Sequence, residues 1–555
     1  MLTNEYELIE LVKNEANIVI YGASLRADVI IDRLLFNAVQ GKLWVAVTDT
    51  QGAKQKLWGL YVYRASDLTQ IAINSVVLIS TQEKYHNEIE TYVKKLGFHN
   101  ILRINNALFA DMSLRHDVYI LGIKYSRNIK KEQFLQYRTM NMLRLADLRD
   151  KVRRGLRVRV LCLVTSPAKL HYASIYNALK QKKIFDVSFY FFDEYYASRK
   201  SIANKDATIK ELEKLKKFSE RLRNEGFNII WGYDDDGFPI SIAQYAPDIV
   251  FYNTYLSAEA DAEHLYKRIV ANHLSCFVPY GMHVSNDFDY HFDNDNLLPA
   301  WIHFVDTRPA LDLVANNGIT EGINAVLSGH PMLDDYCHTE KQAQQIPAKC
   351  QNGKKLIVYA PHWSIATWSN TSTFHKHWHC ILNLLEKYKN ECNFVFKPHP
   401  RLEIEISVKN SSTVIGIPKN TEYKAYCATW ENSPNGFIVT ESNGIELFKL
   451  ADCLITDSYS FIPAWLPADK PCIFLMNPDG PTDPYQYYYD FIRPVIDSYY
   501  LCKTEKEIED TFNDVIIMGN DSKMEERRAQ CKNLIHNLGN AGQFIADYIE
   551  HQLIN

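Results

Sequence analysis

The stretch that decides the fold is Lys355-Leu-Ile-Val-Tyr-Ala-Pro-His-Trp-Ser364. Its first five residues are a short apolar run that reads as a buried strand, and Pro361 stops it. A helical pattern follows at 374–388, then a second strand at 393–397 (NFVFK), again closed by a proline. A helix near 443–449 and strands at 453–456 and 472–475 continue the series. Strands alternating with helices predict a parallel, doubly wound sheet. Closing helices are expected at 504–517 and 523–553.

The same alternation runs upstream. Residues 158–164 (VRVLCLV) are a buried-strand run followed by Thr165-Ser-Pro and a helix from about 171 to 180. Strands are expected at 187–192, 227–231, 248–252, 276–279 and 301–305, with a charged helix over 206–225. This unit closes near Ser328-Gly-His-Pro-Met-Leu-Asp334, and the polar stretch 339–354 reads as a linker. A smaller unit of the same kind occupies 1–110, with strands at 17–21, 43–48, 76–80 and 100–104. Its Gly22-Ala-Ser-Leu-Arg-Ala27 sits where a phosphate loop would be, and Asp49 where a ribose-binding acid would be. One glycine stands where the dinucleotide fingerprint has three, so a turn that needs Gly22 only for its backbone angles competes with nucleotide binding.

The chain has 555 residues, which predicts roughly three to four domains. Apolar residues make up 46% and charged ones 23%, and the net charge is −5. That excludes a disordered chain and disfavours a protein that coats nucleic acid through its overall charge. No apolar run approaches the length of a membrane span, and the acidic N-terminus does not read as a signal peptide. The 11 cysteines lack any C-x-x-C pair, as expected of reduced thiols in the cytoplasm. Charge is concentrated in 124–159, with twelve basic residues against three acidic ones and apolar residues between them. A basic amphipathic helix or helix pair is expected there. It would either meet an anionic membrane face or pair its charges with acidic domains.

Chemistry gathers at the predicted strand ends. Lys397, His399 and Arg401 can donate to phosphate oxygens. Ser458 and Ser460 begin a helix, where free N–H groups favour an anion. His362 and Asp457 flank the same edge. Taken singly, each has a structural explanation: a proline-shaped turn, a buried histidine, an N-cap serine. His375 and His379 share a helical face at a zinc-like spacing, but no third ligand is evident, and no metal is expected. Asp287, Asp289, Asp293 and Asp295 do not match an EF-hand.

Four segments together, Y-A-P-x-W from Tyr359, K-P-H-P from Lys397, D-x-L-I-T-D-x-x-S from Asp452 and D-K-P-x-I-F from Asp469, resemble the C-terminal half of the CDP-glycerol glycerophosphotransferases. These are the teichoic-acid and capsule polyol-phosphate transferases. Gly329-x-Pro331-x-x-Asp334 and Asp490-Phe-Ile-Arg-Pro-Val495 are similar too, and the resemblance covers roughly 156–520. It implies a GT-B fold: an acceptor domain at 156–338, a linker at 339–354, a nucleotide-donor domain at 355–535 and a C-terminal helix at 536–555. A Rossmann-like module at 1–110 and a basic helical linker at 111–155 would precede them. It also implies transfer of a polyol phosphate (glycerol or ribitol phosphate) from a CDP-activated donor to a hydroxyl of a cell-surface glycopolymer or lipid-linked acceptor, with release of CMP. No cofactor would be required. Location would be cytoplasmic, with a peripheral contact on the inner membrane face through 124–159. By position, His399 would touch the pyrophosphate and Ser460 a phosphate.

The sequence departs from the family in two places. The usual D-Y-S-S is Asp457-Ser-Tyr-Ser460 here, and the histidine of W-H-G-T is replaced by Tyr280, followed by Gly281, with His283 three residues on. Tyrosine, with an ordinary pKa near 10, is a poor base at neutral pH. His283 is therefore the expected base, with Asp287, Asp289 and His171 as weaker choices. His171, Tyr280 and Gly281 are placed on the acceptor side. A GT-B glycosyltransferase using a nucleotide sugar, or a non-catalytic binding subunit, are the alternatives.

Overall fold

A strand that is apolar on both faces needs helices above and below it, and three parallel sheets meet that need in the computed structural model of this protein. The structure describes residues 2, 4–23, 25–37, 39–48, 56–57, 60–115, 127–167, 170–193, 205–235, 237–254, 264, 266–337, 346–365, 372–399, 401–409, 418–440, 444–479 and 485–555. Asp49 and the start of the 339–354 linker lie outside them.

The first sheet holds β1 (Asn17–Tyr21), β2 (Lys42–Val47), β3 (Lys56–Leu57), β4 (Leu60–Arg64), β5 (Ser75–Ile79) and β6 (Asn100–Arg103) in the order β3-β4-β2-β1-β5-β6. Only β3 runs antiparallel. The second holds β7 (Val158–Val164), β8 (Phe185–Phe191), β9 (Ile229–Trp231), β10 (Ile249–Tyr252), β11 (Leu274–Phe277), β12 (Ile302–Val305) and β13 (Ala325–Leu327) in the order β13-β12-β11-β10-β7-β8-β9. The third holds β14 (Lys355–Ala360), β15 (Cys392–Phe396), β16 (Gly436–Ile438), β17 (Cys453–Thr456), β18 (Cys472–Leu475) and β19 (Tyr500–Cys502) in the order β16-β15-β14-β17-β18-β19. In each sheet the chain starts in the middle, winds one way and then reverses. The crevice at that reversal is where such sheets take ligands. It falls between β14 and β17 in the third sheet and between β7 and β10 in the second.

The expected fold class of doubly wound α/β units holds. Short strands the sequence did not announce (β4, β13, β16 and β19) lie at or near sheet edges, where few residues need burial. The second and third sheets share one apolar cluster, in which Met282, Val284, Phe292 and Leu333 meet Leu356, Leu454, Tyr488 and Ile492.

One expectation is met and one needs correction. The basic stretch holds one helix, Arg127–Arg153, and several of its charges pair with the body, the second of the two roles expected for it. Phe134 and Tyr137 are buried against Ala271, Leu298 and Ile319, while Leu145 and Leu148 enter the core of the second sheet. Lys130 pairs with Asp295 at 3.2 Å and Lys151 with Asp248 at 2.6 Å. Arg144 and Arg149 donate to the carbonyls of Ala271 and Gln552, each at 2.8 Å. The inward face is thus packed on protein. The expected long helix at 523–553 is two helices, Met524–Leu534 and Ala541–Ile554, parted by a turn in which Asn537 and Gly539 take φ of 48° and 78°. The turn lets the last helix return to the second sheet, where Ile545, Ala546, Ile549 and Leu553 join its core.

Gly22 has φ 124°, and a Cβ there would lie 2.7 Å from Ser80 Oγ. Close packing of two strand ends accounts for this glycine, and no phosphate need be invoked.

Candidate functional site

Three strand ends of the third sheet converge at its topological reversal. After β14 the chain places His362 and Trp363, after β15 Lys397, His399 and Arg401, and after β17 Asp457, Ser458, Tyr459 and Ser460. The parallel register of β14 with both β15 and β17 brings these ends level.

The rings form a continuous surface. His362 lies 6.3 Å from His399 and 5.1 Å from Tyr459 between centroids, and Trp363 lies 6.0 Å from His399. The Arg401 guanidinium sits 3.9 Å over the Trp363 ring and pairs with Glu405 Oε1 at 3.4 Å, which holds it at the mouth and offsets part of its charge. The Arg401 N–H donates to His399 Nδ1 at 3.1 Å, leaving the Nε2 side of the ring for a ligand. A Cβ on Gly444, at the start of the Gly444–Leu450 helix, would come 3.8 Å from Lys397 Cε. The lysine therefore lies beside a helix N-terminus. Ser458 Oγ and Ser460 Oγ are 3.3 Å apart, and Ser460 is exposed.

The electrostatics follow from partial burial of several cationic groups together. Burial, then the nearby His362, Arg401 and Lys397, push His399 down to about 3. Burial and Arg401 push His362 down to about 4. Burial alone lowers Lys397 to about 8. At neutral pH the pocket presents Lys397 and Arg401 as cations and two neutral imidazoles. An anion would relieve that mutual repulsion.

Asp457 faces inward instead of toward a ligand. Its carboxylate is buried and accepts the His362 N–H at 2.6 Å, the Thr373 N–H, and the Thr373 hydroxyl at 2.8 Å. Burial raises it to about 6 against the pull of those donors. Its work is to pin the loop after β14 to the Phe374–Lys387 helix and so to aim His362. Thr373 had no signal in the sequence, because nothing local marks a helix start as the partner of a residue 84 positions away.

On the second sheet, the loop after β11 carries Tyr280, Gly281 and His283. Tyr280 is 41% exposed, and its N–H donates to the Asn253 carbonyl at 3.0 Å. A Cβ on Gly281 would meet nothing within 4 Å. The His283 side chain is only 1% exposed. Its backbone N–H donates to Asp306 Oδ2 at 2.8 Å, and its Nδ1 lies 2.7 Å from Asp306 Oδ1. Phe292 stacks on the ring at 4.7 Å, and His291 lies 5.2 Å away. The expected base is thus part of a buried pair, covered by its own loop. Despite its own burial, the neighbouring His283 holds Asp306 at about 2. His171 stands apart from this pair, 6.1 Å from the His330 ring. Buried His330 bonds the Pro279 carbonyl through Nε2 at 2.9 Å and accepts the Met332 N–H at Nδ1. Asp306 and His330 had no motif to reveal them.

The acidic loop is structural. Asp287 caps the Phe288–His291 helix, Asp293 accepts the Ile319 N–H at 2.8 Å, and Asp295 pairs with Lys130. His375 is buried while His379 is exposed, so the two do not face one space. Among the described residues no group of three or more His, Cys, Asp or Glu is placed to hold an ion.

The second and third sheets, doubly wound and packed along one apolar seam, with a cationic, imidazole-lined reversal point on the third, form the kind of crevice in which such sheets hold ligands. Residues 319–550 match the family described as CDP-Glycerol:Poly(glycerophosphate) glycerophosphotransferase. The match takes in Gly329–Asp334, all four strand-end segments, the Met524–Leu534 helix and the greater part of the Ala541–Ile554 helix. The expectation of a glycerophosphotransferase-like enzyme is thereby borne out. No curated relative matches the chain. Solved structures that it resembles include the wall teichoic acid polymerase TagF, at 13% identity over 78% of this chain and 99% of that one with a TM-score of 0.44. They also include a S. aureus MnaA-UDP co-structure, at 15% identity, 71% and 97% coverage and a TM-score of 0.43. A UDP-GlcNAc 2-epimerase from Neisseria meningitidis bound to UDP-GlcNAc matches at 14% identity, 71% and 100% coverage and a TM-score of 0.42. No helix among the described residues is long and apolar enough to cross a membrane.

Proposed function

We propose that the protein transfers a polyol phosphate from a CDP-linked donor to a hydroxyl of a teichoic-acid-type acceptor. The observation that carries this reading is the convergence of His362, Lys397, His399, Arg401 and Ser460 at the reversal point of the domain that matches the glycerophosphotransferase family. The acceptor oxygen attacks the phosphorus that bears the polyol. The P–O bond to the cytidylyl phosphate breaks, CMP leaves with that electron pair, and the hydroxyl proton passes to a base. Such transfers depend on in-line placement and charge neutralisation. Lys397 and Arg401 would offset the charge on the leaving phosphate, and His399, whose Nδ1 accepts the Arg401 backbone N–H, would donate to it from Nε2 as a neutral ring. Asp457 acts one step back, by aiming His362. No cofactor is required in this scheme.

We assign the base to His283. Asp306 at Nδ1 orients the ring, which leaves Nε2 as the proton-accepting nitrogen. Phe292 and His291 cover the ring, so the acceptor reaches it only when the loop over 280–292 opens.

We assign membrane contact to the outward face of the Arg127–Arg153 helix. Leu143 is 65% exposed there, with Leu135, Met142, Arg138 and Arg153 also exposed. Each well-placed basic residue would add about 1 kcal/mol on an anionic bilayer. Arg138→Glu with Leu143→Glu should then abolish co-sedimentation with anionic vesicles, and unchanged co-sedimentation removes the assignment.

Calorimetry with CMP, CDP, UDP, GDP and CDP-glycerol, paired with a CMP-release assay, tests the main reading. Preference for cytidine, lost in His399→Ala, supports it. Preference for uridine or guanosine would move the protein to nucleotide-sugar transfer, for which Tyr280 in place of histidine is no obstacle.

A further inference from the structure

We propose that Tyr459 is a positioning residue that couples the donor site to the seam between the second and third sheets, so that a bound donor sets the loop carrying Tyr280 and His283. This rests on the donor reading above. Tyr459 is the residue displaced by the altered order Asp457-Ser-Tyr-Ser460, and its position places one ring between two partners. On one side is His362, at 5.1 Å; on the other is Tyr488, edge-on at 5.3 Å and 83°.

Tyr488 is buried and belongs to the seam itself. Its backbone forms an antiparallel bridge with Ser285 of the acceptor-side loop. Around that bridge the Tyr489 N–H donates to the Val284 carbonyl at 3.0 Å and the Asn286 N–H to the Tyr487 carbonyl at 3.1 Å. Asn286 Nδ2 adds a bond to the Gln486 carbonyl at 2.6 Å. One residue further, the Tyr489 hydroxyl lies 3.2 Å from His291 Nδ1, and His291 covers His283. The segment 284–286 cannot shift without 486–489, and 486–489 cannot shift without disturbing the ring of Tyr459.

Close-packed rings have no slack, so displacement at one face is felt at the other. A phosphate held by His362 and Ser460 fixes the ring on one side of Tyr459 and the residue that follows it in the chain. The ring then holds Tyr488, and through the seam it holds the position of the loop. Donor binding would thus precede and favour productive acceptor binding.

Hydrogen exchange at the amides of Asn286 and Tyr489 tests this, with and without CMP, in the full chain and in Tyr459→Ala and Tyr459→Phe. CMP is expected to slow both amides by about tenfold in the wild type, a typical coupling between linked sites. The phenylalanine variant should keep most of that effect. The alanine variant should still bind CMP yet lose the protection, with kcat/KM falling further than CMP affinity. Equal protection in Tyr459→Ala, or none in a wild type that binds CMP, overturns the proposal. A wild type that binds CMP and protects the seam but never consumes CDP-glycerol would overturn the transfer reading and leave the coupling standing. A wild type that binds no CMP overturns both.

Discussion

The carboxylate of Asp334 accepts the backbone N–H of Gly542 at 2.8 Å, across 208 residues of chain. Its other oxygen takes the Ala541 N–H at 2.9 Å, so one buried side chain caps the last helix of the protein. The Gly329-x-Pro331-x-x-Asp334 segment is therefore a dock for the C-terminus. Gly329 serves the same contact: at φ 77° its Cβ position would lie 2.1 Å from the His536 carbonyl oxygen.

Replacing Asp334 with alanine leaves two helix-end donors unsatisfied in a buried place. A loss of about 1–2 kcal/mol is expected. Denaturant unfolding should register it, and hydrogen exchange should be fastest over the Ala541–Ile554 helix.

In the proposed reaction, His399→Ala and Lys397→Ala remove the donors assigned to the leaving phosphate. Each should lower CMP release by about 100-fold or more, the usual cost of losing a preorganised donor to developing charge. Melting temperatures should stay near wild type. Undiminished turnover in either folded variant would refute the assignment of that residue.

Buried histidines set the acid limit. Burial holds His362, His330, His375 and His377 at about 4, and His399, His291 and His303 at about 3, against an ordinary 6.5. Between those values the unfolded chain binds more protons than the folded one, so stability rises with pH over that window and is lost as pH falls below about 6.5. Asp457 acts oppositely. Raised to about 6 from 3.8, it contributes stability at low pH that fades as pH rises through that interval. Seven groups outweigh one, so urea midpoints should fall steadily from pH 7 to pH 5. A flat profile would contradict the burial of these rings.

Asp306→Ala strands His283 without its partner in a buried place. Losing a buried hydrogen bond to a charged acceptor costs about 1.5–3 kcal/mol. Chemical denaturation should show the loss. If His283 is the base, the pH–rate profile of the milder Asp306→Asn should also move, which a purely structural role would not produce.

The repeated doubly wound units were legible in the sequence because a strand buried on both faces must be apolar at every position, as in VRVLCLV and KLIVY. The convergence of polar side chains at one sheet edge was legible for a related reason. Strand ends carry their side chains to one crevice whatever the rest of the chain does, so His362, Lys397, His399 and Ser460 could be placed together from order alone. Inward or outward direction could not be read. Asp457 turned out to serve Thr373 and His362, and His283 turned out to be sheltered by Phe292 and Asp306, because hydrogen-bond partners 84 and 23 residues away leave no local pattern. The basic helix shows the same limit: its charges were countable, but which of them meet Asp248 and Asp295 depends on where the second sheet lies. Periodicity along one chain determined the layers of this protein. Contacts between distant segments, such as Asp334 with Gly542 and Tyr459 with Tyr488, were decided only when those layers packed, since close packing selects partners by position in space and not by distance along the sequence.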